Sequence, residues 1–223
     1  MAERTYPGVC LVDGTETTKR KAKNDIKKCL TKERGQDQDA TSWLVQFQGK
    51  YRPGYWIVLL IRKDVTLKAI DSKLRYLWLE CCGHLSQFTI YGHTFQSNPD
   101  RNYGDNEEGM NVSVDSLFRV GLSGEHLYDF GDSTYLTFKV LDFLPFAPKE
   151  RNGIELVAQN HPPDIRCSSC GAPADIICLE CFYEGDSEKA FLCEGCHQEH
   201  ECDEDMTLPV VNSPRMGQCG YEG

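Results

Sequence analysis

The sequence predicts an α+β fold: a mixed sheet with helices packed mainly on one face, plus a small zinc-stabilised module near the C-terminus. Three observations predict it. Short alternating or continuous apolar segments recur between residues 42 and 158, as strands do. One longer segment there, Asp64 to about Leu79, has helical spacing instead. Seven of the 12 cysteines then crowd between Cys167 and Cys202, mostly in C-x-x-C pairs.

The first 41 residues open with a short apolar run, Val9 to Val12. A helix is predicted from Lys19 to Glu33, because Ala22, Ile26 and Leu30 recur every fourth residue. Thr17 or Thr18 could cap its start and Gly35 end it, before a polar linker from Gln36 to Thr41.

The main domain is expected over 42–158. Trp43 to Phe47 alternates, Arg52-Pro53-Gly54 turns the chain, and Tyr55 to Ile61 reads as a buried strand. In the helix that follows, Leu67, Ile70, Leu74, Leu77 and Trp78 share a face. Leu85 to Ile90 is strand-like, and the polar stretch Gln96 to Gly109 is a loop. Val114 to Phe118 suits a helical turn. His126–Phe130 and Tyr135–Phe143 form a hairpin around Gly131-Asp132-Ser133, and Ile154 to Ala158 closes the domain. Residues 159–206 form the cysteine module, entered through His161-Pro162-Pro163. Residues 207–223 turn apolar again and are expected to dock on the core, as an edge strand that tolerates Pro209 and Pro214.

Composition narrows the function. With 40% hydrophobic and 26% charged residues in 223, the chain can bury one sizeable core and a smaller module. No run approaches the roughly 18 apolar residues of a membrane span. Met1 to Tyr6 lacks the apolar stretch of a secretory signal, so a cytoplasmic location is expected, and there paired cysteines favour metal over disulfides. The net charge of −10 is unevenly spread. Lys19, Arg20, Lys21, Lys23, Lys27, Lys28, Lys32 and Arg34 face only Asp25 and Glu33, whereas Asp164 to Asp205 holds twelve acids against Arg166 and Lys189. A basic arm can hold nucleic acid, but no aromatic residue is interleaved here for stacking. An acidic module would repel phosphate.

The strings Tyr55-Trp56-Ile57-Val58-Leu59 and Thr66-Leu67-Lys68-Ala69-Ile70-Asp71 are followed by Trp78-Leu79-Glu80-Cys81-Cys82-Gly83-His84-Leu85-Ser86-Gln87-Phe88 and then Tyr128-Asp129-Phe130-Gly131-Asp132-Ser133-Thr134. In that order, from Trp43 to Phe143, they resemble the plasmid pRiA4b Orf-three-like family over about half of the chain. The resemblance implies a compact α+β core and brings no settled activity. The cysteine module is an addition to that core.

The cysteine pattern carries the strongest chemistry. Cys167-x2-Cys170, Cys178-x2-Cys181, Cys193-x2-Cys196 and His200-x-Cys202 make four ligand pairs, enough for two tetrahedral zinc ions. A C-x-x-C pair hooks an ion from one turn, and a second pair completes the tetrahedron. Four protein ligands leave no position for a reacting water, so the ions would be structural. About 40 residues poor in large apolar side chains need such ions in place of a core. The spacing resembles B-box zinc modules, whose pairs interleave. That resemblance implies Cys167, Cys170, Cys193 and Cys196 for one ion and Cys178, Cys181, His200 and Cys202 for the other, with His197 able to replace His200.

Other motifs weigh less. Asp129-Phe130-Gly131 has kinase letters without a glycine-rich loop, a strand lysine or a catalytic loop. A hairpin corner explains it better, with Gly131 supplying an unusual backbone angle and Asp132 accepting turn N–H bonds. Cys81 and Cys82 are adjacent, so their side chains should point apart as buried small hydrophobes. Cys10 and Cys219 lack a sequence partner, and His84 reads as a core histidine. The best reading is a non-enzymatic binding protein whose zinc module presents an acidic surface to another protein. One alternative is a nucleic-acid-associated, mobile-element protein using the basic helix. A second is an enzyme with a site near Asp129, Asp132 and His84, or His126.

Overall fold

The computed structural model describes residues 6–34, 41–99, 107–184, 189–202 and 206–223. Several expected features lie outside them: the start of the chain, the Gly35 helix stop, most of the linker after it, the centre of the 96–109 loop, and the acids Asp186, Glu188, Asp203, Glu204 and Asp205. The chain divides into two compact units, Met1–Tyr76 with His84–His161, and Leu77–Gly83 with Pro162–Gly223.

The first unit is an α+β layer. Its ten-stranded sheet has the order β2-β1-β10-β4-β3-β9-β8-β5-β6-β7. These strands are β1 (Pro7–Cys10), β2 (Glu16–Thr18), β3 (Ser42–Gly49), β4 (Trp56–Arg62), β5 (Ser86–Ile90), β6 (His93–Gln96), β7 (Glu107–Gly109), β8 (Ser123–Tyr128), β9 (Thr134–Leu144) and β10 (Ile154–Asn160). Among the described residues only β6 and β7 pair in parallel, which makes the sheet mixed. β3 and β4 form its centre, with Trp43 opposite Ile61 and Phe47 opposite Ile57. β4 is apolar from Trp56 to Ile61 because both its faces are buried.

Helix α1 (Ala22–Arg34) covers one face. Ala22, Ile26, Cys29 and Leu30 pack in one cluster with Leu44, Trp56, Val58, Leu60, Val157 and Ala158. Fully burying Ile26 and Leu30 contributes about 2–3 kcal/mol each. The helix starts later than expected because Lys19 is already engaged: its N–H bonds the Tyr6 carbonyl and its Nζ donates to the Pro53 carbonyl at 3.0 Å. Helix α2 (Leu67–Leu74) is capped by Thr66, whose hydroxyl accepts from the Ala69 N–H. It continues as a π-helix, Arg75–Leu79, whose last residues enter the second unit. The turn expected near Val114 is α3 (Val114–Leu117), capped by Ser113.

The corner between β8 and β9 is a hairpin turn, but its roles differ from those expected. The positive backbone angle belongs to Asp129, at φ 65°, not to Gly131. The Asp129 carboxylate accepts from the Gly131 N–H at 2.9 Å and the Asp132 N–H at 3.2 Å. Aspartate tolerates the left-handed region because its short side chain bonds the local backbone.

The second unit holds a three-stranded sheet, β12-β11-β13, of β11 (Ile176–Cys178), β12 (Phe191–Leu192) and β13 (Thr207–Pro209). Two short helices, α4 (Leu179–Tyr183) and α5 (Glu194–His197), follow cysteines. The tail was expected to add an edge strand to the large sheet. Instead β13 pairs with β11, Leu208 opposite Ile177, because β12 leaves the other side of β11 to be covered. The rest of the tail packs with Leu77–Gly83: the Ser213 hydroxyl donates to the Trp78 carbonyl at 2.7 Å.

Candidate metal centre

Each C-x-x-C pair sits where the chain turns sharply. After Cys167 the chain folds back through Gly171, whose N–H bonds the Cys167 carbonyl and whose φ of 76° suits glycine. Cys178 ends β11 as the N-cap of α4, and Cys193 is the N-cap of α5. Cys181 and Cys196 lie inside those helices, one turn on. β11 and β12 pair side by side, so the sheet carries the pairs toward one another.

The result is two groups of four donors. Cys167, Cys170, Cys193 and Cys196 form one, and Cys178, Cys181, His200 and Cys202 form the other. Within each, the ligand atoms lie inside 4.8 Å of one another. The structure thus groups all eight expected residues in the interleaved arrangement, with His200 and not His197 in the second group. Cys170 and Cys193 sulfurs are 3.6 Å apart, Cys181 and Cys202 sulfurs 3.6 Å, and Cys181 sulfur to His200 Nε2 is 3.5 Å. A tetrahedral zinc–thiolate site with Zn–S near 2.3 Å has edges of about 3.8 Å, slightly shorter where nitrogen replaces sulfur. No disulfide competes for these sulfurs.

The electrostatics ask for a cation. The backbone N–H of Cys193, with those of Cys170 and Ser169, lowers the Cys167 thiol to about 6. Its neighbours move the other way. Cys196 is pushed up to about 12, chiefly by its contacts with Cys170 and Cys193. Cys202 is also pushed up to about 12, chiefly by Cys181. One thiolate in each crowd suppresses the next unless a metal neutralises them. Sulfur-rich tetrahedral donors fit zinc.

A third group was not expected. Cys81, Cys82 and Cys219 of the second unit bring their sulfurs within 4.8 Å. The reading of Cys81 and Cys82 as buried hydrophobes is corrected: Cys82 is exposed and Cys81 partly so. Side chains diverge in helices and strands, but this pair lies in a bend closed by Gly83 at φ 71° and by the Gly83 N–H to Glu80 bond. Cys10, Asp13 and Cys29 also cluster, but as a hydrogen-bonded set. Burial and the Asp13 carboxylate push the Cys29 thiol up to about 12, and its S–H donates to that carboxylate at 3.1 Å.

The residues named for catalysis are only partly assembled. His84 Nε2 lies 3.4 Å from the Asp129 carboxylate, while Asp132 joins the turn through its backbone. Asp129 is 4% exposed and already serves the hairpin. His126 meets a different carboxylate, Asp71, at 2.8 Å. That contact carried no signal in the sequence, since the two lie 55 positions apart. Cavities of about 630 Å³ beside α1 and about 740 Å³ beside α2 are lined by other residues, among them Lys21 and Lys28, and Lys73 and Glu150.

No family model and no curated protein matches the chain. A crystal structure of a protein of unknown function from Methanosarcina mazei Go1 is similar over 53% of this chain and 67% of that one, with 13% identity and a TM-score of 0.43. No described helix is long and apolar enough to cross a membrane.

Proposed function

We propose that the chain is a non-enzymatic binding protein: an α+β core of plasmid Orf-three-like type carrying a B-box-like module that holds two structural zinc ions and offers an acidic surface to another protein. The closure of the two four-donor groups carries this reading. A closed tetrahedron holds shape and leaves no open coordination position for chemistry. Around it, Asp164, Asp175, Glu184, Glu194, Glu199 and Glu201 are exposed, which suits a basic partner.

The nucleic-acid alternative has less support. Lys23 and Lys27 pair with Asp142, Arg34 with Glu155, and Lys19 donates to a backbone carbonyl. Arg34 is therefore turned inward, and Lys23 and Lys27 are held in ion pairs at the surface. The test is binding of the zinc-loaded full chain to a peptide array graded by charge. Retention of basic peptides that is lost in high salt and after chelation is the expected result. Indifference to peptide charge overturns it.

A further inference from the structure

We propose that Cys81, Cys82 and Cys219 hold a third zinc ion, separate from the two groups of the module. Three thiol sulfurs converge here within 4.8 Å, and 136 residues of chain lie between Cys82 and Cys219. Such convergence of remote cysteines needs a cause. Burial of apolar thiols is not that cause, because Cys82 is exposed and Cys219 partly so.

Both segments are shaped to present the sulfurs. Gly83 bends the first at φ 71°. In the second, Cys219 itself takes φ 43°, followed by Gly220 at φ 63°. A left-handed cysteine is strained, and such strain persists where a site requires it. The tail is held in place by a chain of bonds: Arg215 N–H to Ser213 Oγ at 2.9 Å, Ser213 Oγ to the Trp78 carbonyl at 2.7 Å, and turns closing at Gln218 and Tyr221.

Charge gives an independent reason. Arg215 is 0% exposed, and its guanidinium donates to the Cys81 sulfur at 3.3 Å. A buried guanidinium needs negative charge beside it. Zn²⁺ bound by three thiolates carries a net charge of about −1, with a neutral fourth ligand. The ion thus turns three mutually repelling thiolates into one monoanion that matches Arg215. The fourth position falls to water.

The test is metal content of the full chain, purified reduced with zinc, by elemental analysis alongside mass mapping of alkylated cysteines. The wild type should hold about three ions per chain, with Cys81, Cys82 and Cys219 protected from alkylation until chelator is added. Cys219→Ser and, at the exposed position, Cys82→Ser should each hold about two and leave the seven module cysteines protected. Two ions in the wild type with these three thiols reactive overturns the proposal and leaves the module intact. Variants that keep the wild-type content, or a disulfide among the three in the purified protein, overturn it as well.

Discussion

Cys170 and Cys193 place their sulfurs 3.6 Å apart although they lie 23 positions apart in the sequence. That spacing matches the edge of a zinc tetrahedron of about 3.8 Å and joins two turns that share no strand. Replacing Cys193 with serine should release about one ion per chain and leave the Cys178 group loaded. Elemental analysis of the variant checks this, and an unchanged zinc content would show that Cys193 is not a ligand.

The module has little else to hold it. Its buried apolar residues are two small sets, Cys167, Cys178 and Leu192, and Ile177, Ala190 and Leu208. Metal binding is then most of its folding free energy. Chelation followed by limited proteolysis should open sites between Pro162 and Cys202, while the ten-stranded sheet stays resistant. Equal loss of both units on chelation would mean that they fold as one.

Arg34 grips Glu155 with two nitrogens, at 2.8 and 2.6 Å. Burial raises the Glu155 pKa, but the Arg34 fork and the Lys149 N–H outweigh it, so the carboxyl sits below its ordinary range. A carboxyl depressed in the folded state stabilises fully above its unfolded value of about 4.3. That contribution disappears as pH falls through the lower folded value. Glu155→Gln should cost about 1–3 kcal/mol at pH 7 and less near pH 3. Urea titrations at the two pH values measure it, and an equal cost at both would contradict the linkage.

How much of this was legible depended on range. The strand from Trp43 showed in the alternation of apolar residues to Phe47, the next in the continuous apolar run Tyr55 to Ile61, and α1 in Ala22, Ile26 and Leu30. The eight clustered residues of the module showed because each pair is local, separated by one or two residues. β6 did not show. Its hairpin with β5 turns through Tyr91 and Gly92, at φ 53° and 81°, and tyrosine is an unusual residue for that first position. The Cys82–Cys219 approach was invisible for another reason: no spacing rule links positions so far apart. The pairing of β13 was misassigned because an apolar triplet records burial but not its partner.

The contact of Asp71 with His126 and Arg75 decides whether this buried polar cluster is scaffold or site. Asp71 Oδ1 accepts from His126 Nε2 at 2.8 Å, and Oδ2 accepts from Arg75 Nε at 2.7 Å. Nε2 must donate, because an ionised carboxylate only accepts. Burial opposes that ionisation, yet His126 and Arg75 together hold the Asp71 carboxyl below its ordinary range. Arg75 then reaches on to the His84 carbonyl at 2.6 Å and the Ser86 hydroxyl at 3.0 Å, and lies over the Tyr128 ring at 4.7 Å. The cluster therefore ties α2 to β5 and β8. His126 is fully buried, which keeps substrate from its ring. Removing the carboxylate strands a guanidinium in a mostly buried place, so Asp71→Ala should cost about 3–5 kcal/mol. Asp71→Asn keeps an acceptor and should cost about 1–3 kcal/mol. Replacing Asp71 and Arg75 together by Leu and Met should recover much of the loss, since apolar isosteres of a buried pair are often neutral. Chemical denaturation of the three variants is the measurement. If Asp71→Ala unfolds at the wild-type midpoint, the cluster does not hold the fold and the case for a catalytic role reopens.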